Sequence, residues 1–172
     1  SMLRDFAIVA TAYGAKFSDL RSSGLAGIFS LFFGVILSFS LGALVAVAFG
    51  YDDAKSITTI GAGAVTFVVG PITGSSIGAS SEVIALSIAA GLVKSILVMT
   101  ATPIVAKKIG LDNPKSAMVF GGLMGTNSGV AAGLAAVDPK LVPYGAMTAT
   151  FYTALGCLIV PSFLFFLIDL IF

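Results

Sequence analysis

Long apolar stretches alternate with short polar loops along the chain. Residues 22–50, 82–106 and 141–172 are rich in Leu, Ile, Val and Phe. About 20 apolar residues are enough to cross the hydrocarbon core of a bilayer, and each stretch is longer than that. We therefore predict one full transmembrane helix in each stretch.

The first residues follow a different pattern. Apolar side chains recur between residues 2 and 21 at steps of three and four, with charged residues in the intervals. This spacing predicts an amphipathic helix that lies at the membrane surface or against a partner. The apolar positions are Met2, Phe6, Val9, Tyr13, Phe17 and Leu20.

Two further segments, 56–81 and 116–137, are uncharged but rich in glycine and hydroxyl groups. Each contains a pair of glycines four residues apart that enclose polar side chains, GSSIG and GTNSG. Matched apolar segments interrupted by Gly or Pro point to the binding site of a transporter. We predict that both segments are broken or re-entrant helices, an arrangement that allows an inverted repeat.

The glycines alone permit a structural interpretation, because glycines at four-residue steps commonly mark close helix packing in membranes. The polar side chains between them favour a site. Consecutive residues on a helix point about 100° apart, so one packed face cannot cover three of them, and an unpaired buried polar group costs about 1–3 kcal/mol. Pro71 also removes a backbone donor beside the first set. The predicted site residues are Thr73, Gly74, Ser75, Ser76, Gly125, Thr126, Asn127 and Ser128.

The distribution of basic residues bears on topology. The loop 107–115 carries three lysines against one aspartate, and three basic residues precede Ser22. Both regions should face the cytoplasm, because cytoplasmic loops are enriched in Lys and Arg. Both regions can face the cytoplasm if segment 56–81 enters the membrane and turns back on the same side, instead of crossing it. Residues 116–137 would then do the same from the cytoplasmic side.

The composition also indicates that lipid surrounds the chain, and it excludes several functions. The chain is 58% apolar and 10% charged, with a mean hydropathy of +1.09, whereas soluble domains carry about 25% charged residues. There is no histidine and only one cysteine, Cys157, so a catalytic triad and a His-based metal site are absent and enzymatic activity is not expected. The net charge of +1, without a basic patch, argues against nucleic acid. We read residues 1–172 as a single transmembrane domain in a lipid bilayer.

Lys94 lies in the middle of a predicted span, where an ionisable residue is a functional candidate. Snorkelling or an ion pair with Glu82 or a partner chain is the alternative. Free N–H groups at the start of half-helices suit an anion, and freed carbonyls suit a sodium ion near the same segments. No cofactor is expected apart from sodium as a coupling ion.

These segments resemble one known family. The run TTIGAGAVTFVVGPITGSSIGASSEVIALSIAAGLVKSILVM from Thr58, the run IGLDNPKSAMVFGGLMGTNSGVAAGLAAVDPKLVPYGAMTATFYTALGC from Ile109, and MLRDFAIVATAYG from Met2 are similar to the M subunit of the malonate:sodium symporter, the MadM family. The resemblance covers nearly the whole chain. It implies a bacterial inner-membrane carrier that works with a smaller L subunit and takes up malonate with sodium. It also implies that the family's N-terminal third precedes Ser1.

The sequence thus predicts an all-α polytopic membrane protein, a subunit of a secondary transporter for malonate driven by sodium. Two alternatives remain at this point. One is a carrier or channel for another small carboxylate, and the other is a non-transporting scaffold subunit whose glycine ladders serve only assembly.

Overall fold

The computed structural model describes residues 24–172, and the predicted amphipathic helix at 2–21 lies outside the described residues. The described part is all helical, as predicted. A 3₁₀ turn, Pro139–Leu141, begins the last span, and a π-helical stretch at Val160–Leu164 contains Pro161. The α-helices in chain order are α1 (Gly24–Ala48), α2 (Ala54–Val65), α3 (Val69–Ile77), α4 (Ser81–Val105), α5 (Pro114–Met124), α6 (Asn127–Ala135), α7 (Val142–Ile159) and α8 (Phe165–Asp169).

Three helical stretches are long and apolar enough to cross a membrane: Gly24–Ala48, Ser81–Val105 and Pro139–Asp169. This confirms the three predicted spans. A helix of 25 residues is about 37 Å long, more than the hydrocarbon thickness of about 30 Å. Large apolar side chains such as Phe33, Leu97 and Phe166 remain exposed on these spans, as expected for surfaces that contact lipid.

The first Gly-rich segment is a helical hairpin, which we call the first hairpin. A Cβ added at Gly70 would lie 3.0 Å from the Cα of Gly63, and one added at Gly74 would lie 2.8 Å from Cγ2 of Thr59. Residues before and after the turn therefore pair in reverse order, so α2 and α3 run antiparallel. Glycine permits this close approach because a side chain at either position would overlap the opposite helix.

The interruption of this segment is not where the sequence suggested. We expected it at Thr73–Ser76 beside Pro71, but the helix breaks at residues 66–68 and those four residues belong to α3. Pro71 is the third residue of α3, and proline is tolerated in a first turn because its missing N–H would have no helical partner. The hydroxyl of Thr66 accepts a hydrogen bond from the N–H of Val69 at 3.1 Å, and so supports the new helix start.

The second Gly-rich segment also breaks, at Gly125 and Thr126 between α5 and α6. Helix α7 runs in the same direction as α5. Thr148 donates to the carbonyl of Met118 at 2.8 Å, and a Cβ at Gly125 would overlap the ring of Tyr152. Later residues of α5 thus meet later residues of α7.

Helix α6 runs in the opposite direction along α7. Asn127 donates to Thr150 at 3.0 Å, whereas Val130 lies 3.0 Å from a Cβ placed at Gly145. Later residues of α6 therefore meet earlier residues of α7, so α6 returns towards the end from which α5 entered. We call α5 and α6 the second hairpin; α7 packs against both of its arms.

The tips of the two hairpins reach adjacent turns of α4. Phe67, in the tip of the first hairpin, packs on Gly91. Thr126, in the tip of the second, is hydrogen-bonded to Ser95 through the two hydroxyls. The hairpins enter from opposite ends of the bundle, because α4 connects the exit of one to the entrance of the other.

Span α1 and the first hairpin thus have the same order as α4 and the second hairpin, with opposite orientation. This is the arrangement of an inverted repeat. The two ends of the bundle differ in charge. The lysine-rich end carries Lys107, Lys108, Lys115 and Lys140 against Asp112 and Asp138, and the lysine-poor end carries Lys55 against Asp52, Asp53, Glu82 and Asp169.

Candidate functional site

Lys94 lies on α4 between the two hairpin tips, and its ammonium group points into the protein. It donates to the hydroxyl of Ser38 on α1 at 3.0 Å, to the carbonyl of Val65 at 2.9 Å and to the hydroxyl of Tyr152 on α7 at 3.2 Å. An ammonium group has three protons, so each one has an acceptor. Snorkelling, one of the alternatives for this lysine, does not describe this conformation.

The Val65 carbonyl is available because the helix stops there. Val65 is the last residue of α2, and the last four carbonyls of a helix have no partner within it. They also carry the negative end of the helix dipole, which a nearby cation stabilises. The Lys94 ammonium therefore caps the broken end of α2, and the break supplies a buried acceptor that a continuous helix would not offer.

Tyr152 connects Lys94 to the second hairpin. Its side chain is fully buried, and its hydroxyl donates to the carbonyl of Gly34 at 3.1 Å while it accepts from Lys94. The Lys94 nitrogen lies 5.2 Å from the centre of the ring, within the range of a cation–π interaction. The same ring packs on Gly125, at the tip of the second hairpin.

Gly125 is required by both conformation and space. Its φ of +70° lies in the left-handed region, which residues with a Cβ rarely adopt. A Cβ there would also overlap the Tyr152 ring. The left-handed turn ends α5 and lets the chain reverse into α6.

The start of α6 offers donors to a ligand. Its N-cap residue, Thr126, makes no side-chain cap bond, because its hydroxyl pairs with Ser95 instead. The first N–H groups of a helix lack intrahelical partners and carry the positive end of the dipole. Asn127 adds an amide that bonds Thr150. The N–H groups at the start of α6 thus lie at the tip that Tyr152 links to the Lys94 ammonium group.

The positive charge of Lys94 has no carboxylate partner among residues 24–172. Every Asp and Glu in that range lies in a loop or near a helix end. Glu82, which the sequence left open as a partner, is twelve residues away on the same helix, or about 18 Å along its axis. A charge inside the membrane that only neutral groups compensate favours an anionic ligand.

The predicted site residues divide into two groups. Gly125, Thr126 and Asn127 lie at the tip of the second hairpin, next to Ser95 and Tyr152; Ser128 is there too, but exposed. Their role in binding stays a prediction, as does that of Lys94.

The other four, Thr73, Gly74, Ser75 and Ser76, lie in α3, away from this tip. Gly74 packs against Ile84, eleven residues before Ser95 on α4, which corresponds to about 16 Å. Ser75 and Ser76 are exposed. The structure therefore does not bring GSSIG and GTNSG together. Gly74 and Gly129 pack against neighbouring helices, as the structural interpretation proposed, whereas Gly78 ends α3 in a left-handed conformation.

Sequence reasoning missed several polar residues of this cluster. Tyr152, Ser38 and Ser95 were hidden in long apolar spans. A signal was present, since Ser87, Gly91 and Ser95 recur at four-residue steps on α4, which marks a face for close packing. Lys94 is adjacent to that face. The small-residue ladder of α4 thus indicated where the two broken segments would meet.

Three membrane spans, two hairpins that enter from opposite ends, and a charged group where their tips meet define a helical membrane transporter subunit. The chain matches the family model described as malonate/sodium symporter MadM subunit over residues 1–172, and it belongs to that family. It is a transporter subunit and not an enzyme. No curated protein and no solved structure matches the chain.

Proposed function

We propose that this chain forms the substrate pathway of a carrier that takes up malonate together with sodium across the bacterial inner membrane. The observation that carries the proposal is Lys94, a cation without a carboxylate partner in the described chain, held where the tips of the two hairpins meet. Malonate is a small dianion, so a buried positive charge and nearby N–H and amide donors suit it.

In this proposal Lys94 attracts one carboxylate of malonate. In this conformation Lys94 donates its three protons in hydrogen bonds to Ser38, Val65 and Tyr152. Substrate therefore replaces at least one of these acceptors. The exchange would release the end of α2 and link binding to movement of the first hairpin. Rigid-body movement of one repeat against the other would then provide alternating access.

The charge distribution supports one orientation. Because cytoplasmic loops are enriched in Lys and Arg, we propose that the lysine-rich end faces the cytoplasm. The first hairpin would then enter from the outside and the second from the cytoplasm. A smaller L subunit completes the carrier in this proposal, and its contacts fall on surfaces that the chain leaves exposed.

The test is uptake of labelled malonate into vesicles that contain the full-length subunit and its partner, with and without an inward sodium gradient. We expect saturable uptake that depends on sodium, and its loss in Lys94→Gln. Lys108→Gln, in the exposed loop, is the matched control and should transport normally. Normal uptake by Lys94→Gln would refute the role of Lys94, and uptake insensitive to sodium would refute symport. Competition by succinate, citrate or acetate tests whether another carboxylate is the substrate.

The two sets of predicted site residues can be compared in the same assay. We expect Asn127→Ala to raise the KM for malonate, because Asn127 lies at the tip that packs on Tyr152, the residue that accepts a hydrogen bond from Lys94. Ser75→Ala should leave the KM unchanged, because Ser75 is exposed on α3. The opposite result would return the substrate site to the GSSIG segment.

A scaffold subunit is the second candidate, favoured by the close packing of Gly63 and Gly70 against Ser87. If the glycines serve assembly alone, Gly63→Leu should disrupt assembly of the complex, whereas Lys94→Gln should change neither assembly nor uptake. The uptake of the Lys94 variant therefore separates the two functions.

A further inference from the structure

Three buried hydroxyl groups in the described chain have no hydrogen-bond partner, and all three lie in the first hairpin. They are Thr58, Thr59 and Thr73, each fully buried. The other buried Ser and Thr hydroxyls are paired; Thr102, for example, donates to the carbonyl four residues earlier at 2.5 Å. A buried hydroxyl left unpaired costs about 1–3 kcal/mol, so three in one hairpin indicate a ligand.

Two of these residues, Thr59 and Thr73, lie at nearly the same level of the hairpin. The methyl group of Thr59 lies 2.8 Å from a Cβ placed at Gly74, and Gly74 directly follows Thr73. The glycine therefore allows α2 and α3 to bring the two threonines to one level. Thr58 precedes Thr59 on α2 and is buried in the same hairpin.

The chemistry of this set suits a monovalent cation. No group of three or more His, Cys, Asp or Glu within residues 24–172 could hold a metal, and sites for divalent ions use carboxylates. Neutral oxygens from hydroxyls and helix carbonyls are the ligands that membrane carriers offer to sodium. The anion-attracting charge of Lys94 lies at the hairpin tip, about 9 Å along α2 from Thr59, so cation and anion would occupy separate positions.

We propose that Thr59 and Thr73, with Thr58 beside them, form a sodium site inside the first hairpin. This inference rests on the proposed function, because it locates the coupling ion of that transport. It also links the two ligands mechanically: sodium would hold α2 to α3, and Lys94 holds the end of α2. A sodium ion that fixes the hairpin would thus set the Val65 carbonyl and Lys94 in place for the anion.

The experiment uses the full-length complex with Thr59→Val and Thr73→Val, which remove the hydroxyl and keep the shape. Sodium is titrated against choline at constant ionic strength, and two quantities are measured: the midpoint of thermal unfolding and the sodium concentration that gives half-maximal malonate uptake. Thr102→Val, which removes a paired hydroxyl, is the matched control. Thr59→Ser and Thr73→Ser keep the hydroxyl and are the conservative variants.

We expect sodium to raise the unfolding temperature of the wild-type protein in a saturable manner, since a ligand that binds only the folded state stabilises it. Each valine variant should need at least about tenfold more sodium for both effects. In choline the valine variants should be as stable as wild type or more so, because an unpaired hydroxyl has been removed. The serine variants and Thr102→Val should keep the wild-type sodium dependence.

Three results would overturn the site. One is an unchanged sodium half-saturation in both valine variants; another is equal destabilisation of those variants in sodium and in choline, which would mean that the hydroxyls bind water instead. The third is a serine variant that behaves like its valine counterpart. Wild-type uptake that does not depend on sodium would instead refute the proposed symport, and so is distinguishable from failure of the site.

Discussion

Substitution of Gly125 by alanine tests the packing between the tip of the second hairpin and Tyr152. Two effects add up. The left-handed backbone at φ +70° costs a residue with a Cβ about 1–2 kcal/mol, and forcing an extra methyl against the fully buried Tyr152 ring costs about 1–3 kcal/mol. If the ring moves, its hydrogen bond to Gly34 is lost as well, for about 1 kcal/mol. We therefore expect Gly125→Ala to destabilise the protein by about 2–5 kcal/mol if the hydrogen bond is kept, and by about 1 kcal/mol more if it is lost.

Gly110 provides the matched control. Its φ is +66°, but no atom lies within 4 Å of an added Cβ. The loss of stability in Gly110→Ala therefore reflects the backbone cost alone. The free energy of unfolding would be measured for both variants by reversible denaturation in mixed detergent micelles. A Gly125→Ala variant no less stable than Gly110→Ala would refute the argument that Tyr152 packs on the tip.

A double-mutant cycle identifies the source of the difference. In a Tyr152→Ala background the ring is gone, so Gly125→Ala should cost only the backbone part, close to the value for Gly110→Ala. Residues in contact show coupling of about 0.5–3 kcal/mol. Strict additivity of the two substitutions would show that the clash, and hence the contact, is not the cause.

Three further predictions concern single interactions. Tyr152→Phe removes the hydroxyl between Lys94 and a backbone carbonyl; we expect a loss of about 1–3 kcal/mol in unfolding free energy and reduced malonate uptake, and a variant equal to wild type in both would contradict the network. Ser95→Ala and Thr126→Val should be non-additive in stability because their hydroxyls pair, with a coupling of about 0.5–1.5 kcal/mol; zero coupling would argue against the pair. The Asp53 carboxylate caps α2 by accepting from the Ser56 N–H at 2.9 Å, so Asp53→Ala should cost about 1 kcal/mol and Asp53→Asn less. Hydrogen bonding to Ser56 lowers the pKa of Asp53 below its usual value, so this stabilisation is present above the ordinary aspartate pKa and is lost as pH falls through the lowered one; a pH-independent difference between wild type and Asp53→Asn would contradict it.

The sequence was sufficient for the spans and for the two unusual segments between them. Length and hydropathy are local properties, so 22–50, 82–106 and 141–172 could be read directly, and they correspond to the three candidate spans. Glycine spacing marked 56–81 and 116–137 as interrupted. The lysines of the loop 107–115, together with the positive-inside rule, pointed to hairpins that enter and return on the same side.

The position of a break within a segment was only partly predictable. At Gly125 the prediction was right, because a left-handed turn needs glycine. In the first segment Pro71 suggested a break at Thr73–Ser76, yet the helix stops at 66–68. Proline is compatible with the first turn of a helix as well as with its end, so its presence alone does not locate the interruption. The hydroxyl of Thr66 supports the helix start, but nothing in the sequence distinguished Thr66 from the other threonines.

The site depends on contacts between residues far apart in the chain. Lys94 and Tyr152 are separated by 58 residues, and Lys94 and Ser38 by 56. Which face of each helix turns inward, and at what depth, follows from the packing of all helices together, because a polar group in the membrane needs a partner and can take one from any neighbour. Local sequence determined that this chain spans a membrane with two broken segments; only the tertiary structure decided that Lys94, Tyr152 and both hairpin tips would meet.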